Sequence, residues 1–270
     1  MNGNFENTKK PEETIPYDSP KELANFISRE RLPIDYSLVI NDNTKVIALG
    51  ESHMDSTAKK EVKNSLTQFK QLKFTHLGLE FLGTDLQPVL DNYVRGKNKK
   101  DEEILLEHFK TYSERDGELY LEIVKEAISL GIKIVALDLP QKEKDYYEES
   151  NTIELQQKRN PFMAQRVENI LSGNKEYRVI TFSGNGHIQN IDEGTGSIVV
   201  NLRDKNISVV TINFSGRLIE KGYPYSYQGP SISECVQSAG LASEKFILPA
   251  QTKFPEINIP FDWIIYLSEK

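Results

Sequence analysis

The feature of this sequence that most constrains its fold is a repeated alternation of short apolar runs with longer amphipathic segments. Between the first two runs, apolar residues from Ala58 to Leu72 recur every three or four positions, which predicts a helix with one buried face. The lysines of this segment, including those of AKK (58–60), are expected on its solvated face. The runs themselves have the length and composition of strands: KVIALG (45–50), THLGLEF (75–81), IKIVALDLP (132–140) and YRVITFSG (177–184).

Strands that alternate with helices in this way are joined by crossover connections, and these give a parallel sheet with helices on its faces. The sequence therefore predicts a single α/β domain over residues 21–270, built on a mostly parallel central sheet. Residues 1–20 are polar and contain several prolines, so they are predicted to form a flexible tail. Later segments are predicted as strands that extend one edge of the sheet: SIVVNL (197–202), ISVVTINFSG (207–216), KFILPA (245–250) and DWIIYL (262–267).

Composition narrows the class of partner. The formal net charge of −7 argues against nucleic acid or an anionic membrane. No apolar run approaches the roughly 20 residues of a membrane helix, and no signal peptide is visible, so a cytoplasmic protein is expected, with signal-independent secretion left open. Cys235 is the only cysteine, which excludes an intrachain disulfide and a thiolate metal cluster. The expected partner is a small-molecule or peptide substrate.

Polar residues with chemical potential follow each of the four early strands. Glu51 and His53 come at the end of the first strand, Glu80 at the end of the second, Asp138 at the end of the third and His187 after the fourth. In an open parallel sheet, the ligand crevice lies beyond the carboxyl ends of the strands. These side chains are therefore expected at one edge of the sheet, where they would form a functional site.

Two of these strands end in the same pattern, Gly-x-x-His, in GESH (50–53) and GNGH (184–187). Glycine allows the backbone to bend sharply, so that the following side chains return over the sheet edge. The repeated motif therefore predicts that two imidazoles point into one crevice. The other two histidines, His76 at the start of a strand and His108 within a helix, are expected to be structural.

One chemistry that suits this residue set is metal-assisted hydrolysis. Imidazole and carboxylate groups bind Zn, Mn or Fe, and a bound divalent ion activates water. The candidate ligands are His53, Glu80 and His187, with Asp138 as a less favoured fourth.

The alternative is hydrolysis without a metal. His53 would act as a general base on water, with Glu51 or Glu80 orienting the imidazole. Arg159, in the helix before the fourth strand, could reach the same edge and stabilise the oxyanion that develops. In both cases water attacks a carbonyl-like centre.

The order of these motifs resembles that of the erythromycin esterase/ChaN-like/Tiki superfamily over about residues 45–268. The matching segments are GESHMDS, GLEF, ALD, RNPFMAQRVENIL, GNGHIQN and FDWIIYL. The resemblance carries the paired histidines of the superfamily to His53 and His187, its acids to Glu51 and Glu80 and its helix arginine to Arg159. The sequence departs from the pattern at Asn160, where the superfamily has Asp, and in GNGH, where its esterases have HNGH.

The resemblance implies several functions. Erythromycin esterases hydrolyse a macrolide lactone with water activated by histidine, Tiki proteins resemble metal-dependent proteases, ChaN proteins bind haem in iron uptake, and related domains occur in bacterial toxins. Three hypotheses therefore stay open. The chain is a hydrolase of esters or amides, a haem- or iron-binding protein without turnover, or a non-catalytic toxin or effector module on the same scaffold.

Overall fold

The structure, a computed structural model, describes residues 20–53, 55–148, 152–189, 196–214, 245–249 and 261–267. The predicted flexible tail, apart from Pro20, lies outside the described residues, as does Cys235. The division into a tail and one domain over 21–270 therefore stays a prediction.

The described residues form seven strands and eight α-helices, with three short 3-10 helices between them. None of these helices has both the length and the apolar character that are needed to cross a lipid bilayer. The strands are β1 (Val46–Glu51), β2 (His76–Gly83), β3 (Lys133–Asp138), β4 (Val179–Gly184), β5 (Val209–Phe214), β6 (Phe246–Pro249) and β7 (Trp263–Tyr266). The helices are α1 (Pro20–Glu30), α2 (Ser56–Gln71), α3 (Gln87–Gly96), α4 (Lys99–Tyr112), α5 (Gly117–Ser129), α6 (Gln141–Glu148), α7 (Thr152–Gly173) and α8 (Ile198–Arg203).

The strands form one seven-stranded sheet in the order β3-β2-β4-β1-β5-β7-β6. Neighbouring strands run parallel, except that β6 is antiparallel to β7. The four central strands are buried or nearly so along their whole length, as expected when helices cover both faces of a sheet. The α/β prediction is thus confirmed, and three of the four late segments predicted as strands extend one edge of the sheet as β5, β6 and β7.

The two faces of the sheet pack against different helices. On one face, apolar residues of β1 such as Leu49 pack with Val62 of α2 and Phe109 of α4. On the other face, residues such as Val46 pack with Val167 of α7 and with α8. Because side chains alternate across a strand, the parity of a residue within its strand decides which helices it meets.

One predicted strand is wrong. SIVVNL (197–202) lies almost wholly in α8, where the Ser197 side chain caps the helix by accepting a hydrogen bond from the Val200 N–H at 3.0 Å. Ile198, Val199 and Leu202 all face the core, a spacing that a helix of this length also satisfies. A short apolar run does not distinguish a strand from a buried helix.

The prediction for the lysines of α2 is also wrong in part. Lys59 is completely buried, whereas Lys60 is exposed. The Lys59 ammonium lies 3.1 Å from Glu51 Oε2 and 3.4 Å from Asp116 Oδ2, and it donates to the backbone carbonyl of His53 at 2.9 Å. Buried charges persist where they are paired and hydrogen-bonded in this way.

Candidate functional site

A group of charged side chains fills the carboxyl end of the sheet on the α7 face. Glu80, in the second half of β2, and Asp138, at the end of β3, both bind Arg159 of α7. His187, in the turn after β4, contacts the same carboxylate of Glu80. All four are buried. The sequence expectation that these residues lie at one sheet edge therefore agrees with their positions.

The Glu80 carboxylate receives donors on both oxygens. Oε1 accepts from Arg159 Nη2 at 2.5 Å and contacts His187 Nε2 at 2.9 Å, while Oε2 accepts from the Gly184 backbone N–H at 2.7 Å. Burial opposes ionisation of Glu80, but the positive charges of His187 and Arg159 outweigh it and hold its pKa well below the usual range. Glu80 is therefore a buried, fully paired anion.

Asp138 extends this network towards the surface. Its carboxylate accepts from Arg159 Nε at 2.9 Å and from Arg159 Nη2 at 2.8 Å, a two-point contact with the guanidinium. Its Oδ2 also lies 3.1 Å from Lys144 Nζ, and Lys144 in turn donates to the Tyr112 hydroxyl at 2.8 Å. Arg159 thus holds both acids, and its Nε and Nη2 groups face carboxylates.

His187 is held from both ring nitrogens. Nε2 faces Glu80 Oε1, and Nδ1 lies 2.5 Å from Asn160 Oδ1. The amide nitrogen of Asn160 donates to the Gly196 carbonyl, so that the amide oxygen is the atom turned to the imidazole. Because both nitrogens face oxygen acceptors, each carries a proton when these contacts are made.

Asn160 lies inside a helix, because α7 begins at Thr152 and also contains Pro161. The Asn160 side chain bonds to His187 and Gly196 instead of capping the helix. An amide can serve both partners, because it has an acceptor and a donor, whereas the Asp found in the superfamily has acceptors only.

The second group, Glu51 and His53, lies on the opposite face of the sheet end. Glu51 is buried, and its Oε1 lies 3.3 Å from His53 Nδ1. The Tyr120 hydroxyl of α5 donates to the same oxygen, and the Lys59 ammonium lies beside Oε2. The His53 side chain is 41% exposed, and its Nε2 makes no hydrogen bond within the described part of the chain. Of the two predicted site histidines, His53 is therefore the one with a ring nitrogen that no described residue binds.

The environment of His53 favours its charged form. The hydrogen bond with Glu51 raises the pKa of His53 above its ordinary value, and the negative charges of Glu80 and Glu51 add to that rise. Partial burial and the charge of Lys59 act in the opposite direction but do not cancel it. A histidine with a raised pKa keeps its charge to higher pH than an ordinary histidine.

The repeated Gly-x-x-His motif has a steric explanation, because each glycine makes room for the loop that contains the other. A Cβ on Gly184 would lie 3.0 Å from His53 Cε1 and 3.2 Å from His53 Nε2. A Cβ on Gly50 would lie 2.7 Å from Asn185 Oδ1 and 2.4 Å from Ile188 Cδ1. The glycines thus allow the two loops to pack closely, although the two imidazoles stand in different surroundings.

The six predicted site residues therefore divide into two groups joined at Gly184, which bonds to Glu80 through its N–H and packs against the His53 ring. Residues that hold these groups in place were not identified as site residues in the sequence: Lys59, Tyr120, Lys144 and Asn160. Lys59 and Lys144 lie on the helices that directly follow Glu51 and Asp138, and Tyr120 lies on a helix remote from Glu51 in sequence. None of the three belongs to a local motif, whereas Asn160 was visible as a departure from the superfamily pattern. His76 and His108 contact Thr75 Oγ1 and the Phe81 carbonyl, in keeping with structural roles.

The arrangement does not fit a divalent metal. Among the described residues, no group of three His, Cys, Asp or Glu side chains could hold an ion. Glu80 and His187 contact each other, and Asp138 pairs with Arg159 and Lys144. A metal would have to displace these partners. Haem is different, since a single exposed imidazole such as His53 can serve as an axial ligand.

Comparisons with known proteins agree with this architecture. Residues 41–148 match the family model described as haem-binding uptake, Tiki superfamily, ChaN. No curated protein sequence matches. Among solved structures, the type III effector HopBA1 is 12% identical with a TM-score of 0.53, the alignment covering 97% of this chain and 100% of that chain.

Two further structures share the fold. A mutant of the erythromycin esterase EreC, in its open conformation, is 13% identical with a TM-score of 0.53, covering 86% of this chain and 92% of its own. Haem-bound ChaN of Campylobacter jejuni is 13% identical with a TM-score of 0.50, covering 83% and 87%. Residues 41–148 therefore match the Tiki/ChaN family model, which confirms the resemblance seen in the sequence over that part of the chain, and the fold is that of ChaN and EreC.

Proposed function

We propose that this protein is a hydrolase of esters or amides in which His53 activates water. The observation that carries the proposal is the pairing of a half-exposed imidazole with a buried carboxylate, Glu51, at the carboxyl edge of a parallel sheet. A carboxylate behind a histidine fixes the tautomer and stabilises the imidazolium formed when the ring accepts a proton.

The reaction follows from this geometry. With Nδ1–H directed at Glu51, His53 Nε2 accepts a proton from water, and the water oxygen attacks the carbonyl carbon. The carbonyl π electrons move to the oxygen. When the tetrahedral species collapses, the imidazolium returns the proton to the leaving oxygen or nitrogen, which releases an acid and an alcohol or amine. Tyr120 and Lys59 keep Glu51 in place.

The group on the α7 face supports this site and takes no proton in the scheme. Arg159 and His187 hold Glu80, and Glu80 binds the Gly184 N–H beneath the His53 ring. We therefore assign Arg159, Glu80, Asp138 and His187 as positioning residues. This differs from the oxyanion role expected for Arg159, since its Nε and Nη2 already serve two carboxylates.

The proposal is tested with p-nitrophenyl esters and p-nitroanilides of different acyl length. Wild type is compared with His53→Ala and with His76→Asn, a control at the opposite end of β2. Loss of a general base lowers turnover by about 10²- to 10⁴-fold, so His53→Ala should be nearly inactive while His76→Asn keeps wild-type rates. Hydrolysis that is equal in wild type and His53→Ala would refute the proposal.

Haem binding without turnover is the second candidate. The family model that matches residues 41–148 describes haem-binding uptake, and His53 is the residue that would hold the iron through Nε2. Haemin titration followed by the absorption spectrum tests it, with His53→Ala and the His53→Ala/His187→Ala variant for comparison. A Soret band that depends on His53 favours this candidate.

Elemental analysis of the same samples tests the predicted metal ligands. Stoichiometric metal that is lost in the double variant would restore the hypothesis of a metallohydrolase.

The third candidate is a non-catalytic effector module, since the effector HopBA1 shares the fold. A chain that acts only by contact should keep its biological effect when His53→Ala and Glu80→Ala remove the imidazole and the buried acid. An effect that disappears with His53→Ala, in a variant that is still folded, excludes a purely non-catalytic module.

A further inference from the structure

We propose that Tyr112 is a catalytic residue of the same site, donating a hydrogen bond from its hydroxyl to the substrate oxygen that becomes negative. The inference rests on the proposed hydrolase function and supplies the electrophilic partner that His53 lacks. The observation behind it is a Tyr112–Lys144 pair at the edge of the site.

Tyr112 stands beside His53. It is the last residue of α4, and its ring centroid lies 6.4 Å from that of His53. Phe81 contacts both rings, at 5.5 Å from the imidazole and 5.7 Å from the phenol, and so fixes their relative position. The phenol is partly exposed, as is the imidazole. A substrate carbonyl that is attacked by water on His53 therefore has a tyrosine as a direct neighbour.

The hydroxyl of Tyr112 is oriented to donate outward. Lys144 Nζ donates to the Tyr112 oxygen at 2.8 Å, so the hydroxyl proton has to point away from the ammonium. Lys144 is itself buried and lies 3.1 Å from Asp138 Oδ2, which fixes the cation at this distance from the phenol. Accepting a hydrogen bond from a cation polarises an O–H group and strengthens it as a donor.

Burial raises the pKa of Tyr112 more than the Lys144 charge lowers it, which keeps the hydroxyl protonated at neutral pH. The proton is not transferred in the proposed step. As water attacks, the carbonyl π electrons move to the oxygen, and the Tyr112 hydroxyl stabilises that charge until the leaving group departs with the proton from His53. This is the role of an oxyanion-hole donor.

The test uses the full chain as wild type, Tyr112→Phe, Lys144→Met, Lys144→Arg and Tyr146→Phe. Tyr146 is a matched control, because it lies on the same helix as Lys144 and is 71% exposed. With p-nitrophenyl butyrate, loss of an oxyanion donor should reduce kcat of Tyr112→Phe by about 10²-fold, with KM changed less than threefold. Lys144→Met should lose about tenfold, and Lys144→Arg should recover part of that loss. Tyr146→Phe should match wild type.

A second readout does not need turnover. Phenylboronic acid forms a tetrahedral anion that resembles the intermediate, and its binding is followed by ¹¹B NMR. Tyr112→Phe should bind it at least about tenfold more weakly than wild type, the effect of one hydrogen bond to a charged group. A merely structural role would instead lower the melting temperature of Tyr112→Phe and raise KM.

The outcomes separate the two proposals. Activity that depends on His53 but is unchanged in Tyr112→Phe overturns the role of Tyr112 and leaves the hydrolase standing. If wild type is inactive but still binds the boronate through Tyr112, the hydrolase proposal is overturned and the role of Tyr112 as a hydrogen-bond donor to an anion stands. A wild type that neither turns over esters nor binds the boronate overturns both.

Discussion

The imidazole of His53 packs directly against Gly184, the first residue of the second Gly-x-x-His motif, where a Cβ would lie 3.0 Å from Cε1. The reverse contact places Asn185 and Ile188 of the second loop against Gly50 of the first. The two motifs are thus sterically matched to each other. This relationship gives each glycine a separate, testable consequence.

Gly184→Ala should impair the site more than the fold. The added methyl would meet both ring atoms and would come within 3.7 Å of Glu80 Oε2, so the His53 ring has to move by a few tenths of an ångström. A displacement approaching 1 Å costs about 10²-fold in rate, and we expect a loss of roughly tenfold here. Ester hydrolysis and thermal unfolding are measured together. The control is Gly186→Ala, where a Cβ has nothing within 4 Å, and equal rates in both variants would contradict the packing argument.

Gly50→Ala should act on stability. Its Cβ would lie 2.4 Å from Ile188 Cδ1 and 2.7 Å from Asn185 Oδ1, in a core where both neighbours are buried. Overpacking of this kind costs about 1–3 kcal/mol in the free energy of unfolding. Urea denaturation of Gly50→Ala and Gly186→Ala measures the difference, and a variant as stable as wild type would show that the loop adjusts without cost.

Glu51→Gln should lower the pKa of His53. The hydrogen bond with Glu51 is the main cause of the raised value, with Glu80 adding to it and Lys59 opposing it. The active base is the neutral imidazole, so activity rises with pH through the raised pKa in wild type. In Glu51→Gln that rise should move to lower pH, with a smaller plateau because the imidazolium loses its partner.

The ¹H NMR titration of the His53 Cε1 proton measures this shift without a substrate. Glu107→Gln is the control, because Glu107 lies on the exposed side of α4 with a side chain that is 71% exposed. A His53 titration that is unchanged in Glu51→Gln would show that the 3.3 Å contact is not maintained in solution.

Arg159→Met should destabilise the fold strongly. The substitution removes the guanidinium that pairs with two buried carboxylates, Glu80 and Asp138, so each carboxylate loses one cationic partner. Removing one member of a buried ion network costs about 3–5 kcal/mol, which urea denaturation resolves. Arg95→Met, at an exposed arginine that bonds to its own helix, is the control and should change stability by less than about 0.5 kcal/mol.

Ionisation of Glu80 should make the free energy of unfolding depend on pH in the acid range. Its pKa is lower in the folded than in the unfolded chain, so its contribution is fully present above the unfolded value of about 4.3. That contribution is lost as the pH falls through the lower, folded-state pKa. The free energy of unfolding, measured from pH 7 down to acid, should decline below pH 5. The Glu80→Gln variant should lack this part of the decline.

The sequence by itself determined the architecture and placed the candidate site residues at one edge of the sheet. Apolar runs that end in Glu80, Asp138 or a Gly-x-x-His loop specify buried parallel strands, and parallel strands bring their carboxyl ends to one edge. The run that failed, SIVVNL, is too short for its pattern to separate a strand from a helix. Burial of apolar side chains is what chiefly stabilises these strands and helices. The spacing of apolar residues in the sequence indicates which positions are buried.

Only the tertiary structure decided how the site residues are grouped. Glu51 and Glu80 lie on opposite faces because side chains alternate along a strand, so one meets Lys59 and Tyr120 and the other meets Arg159 and His187. Tyr120, Arg159 and His187 are remote in sequence from the acids they contact. Lys59 lies on the next helix along the chain, but a buried lysine has the same local pattern as a solvated one. Hydrogen bonds and charge pairs depend on distances of a few ångströms between remote segments, and such distances are fixed only when the helices pack on the sheet.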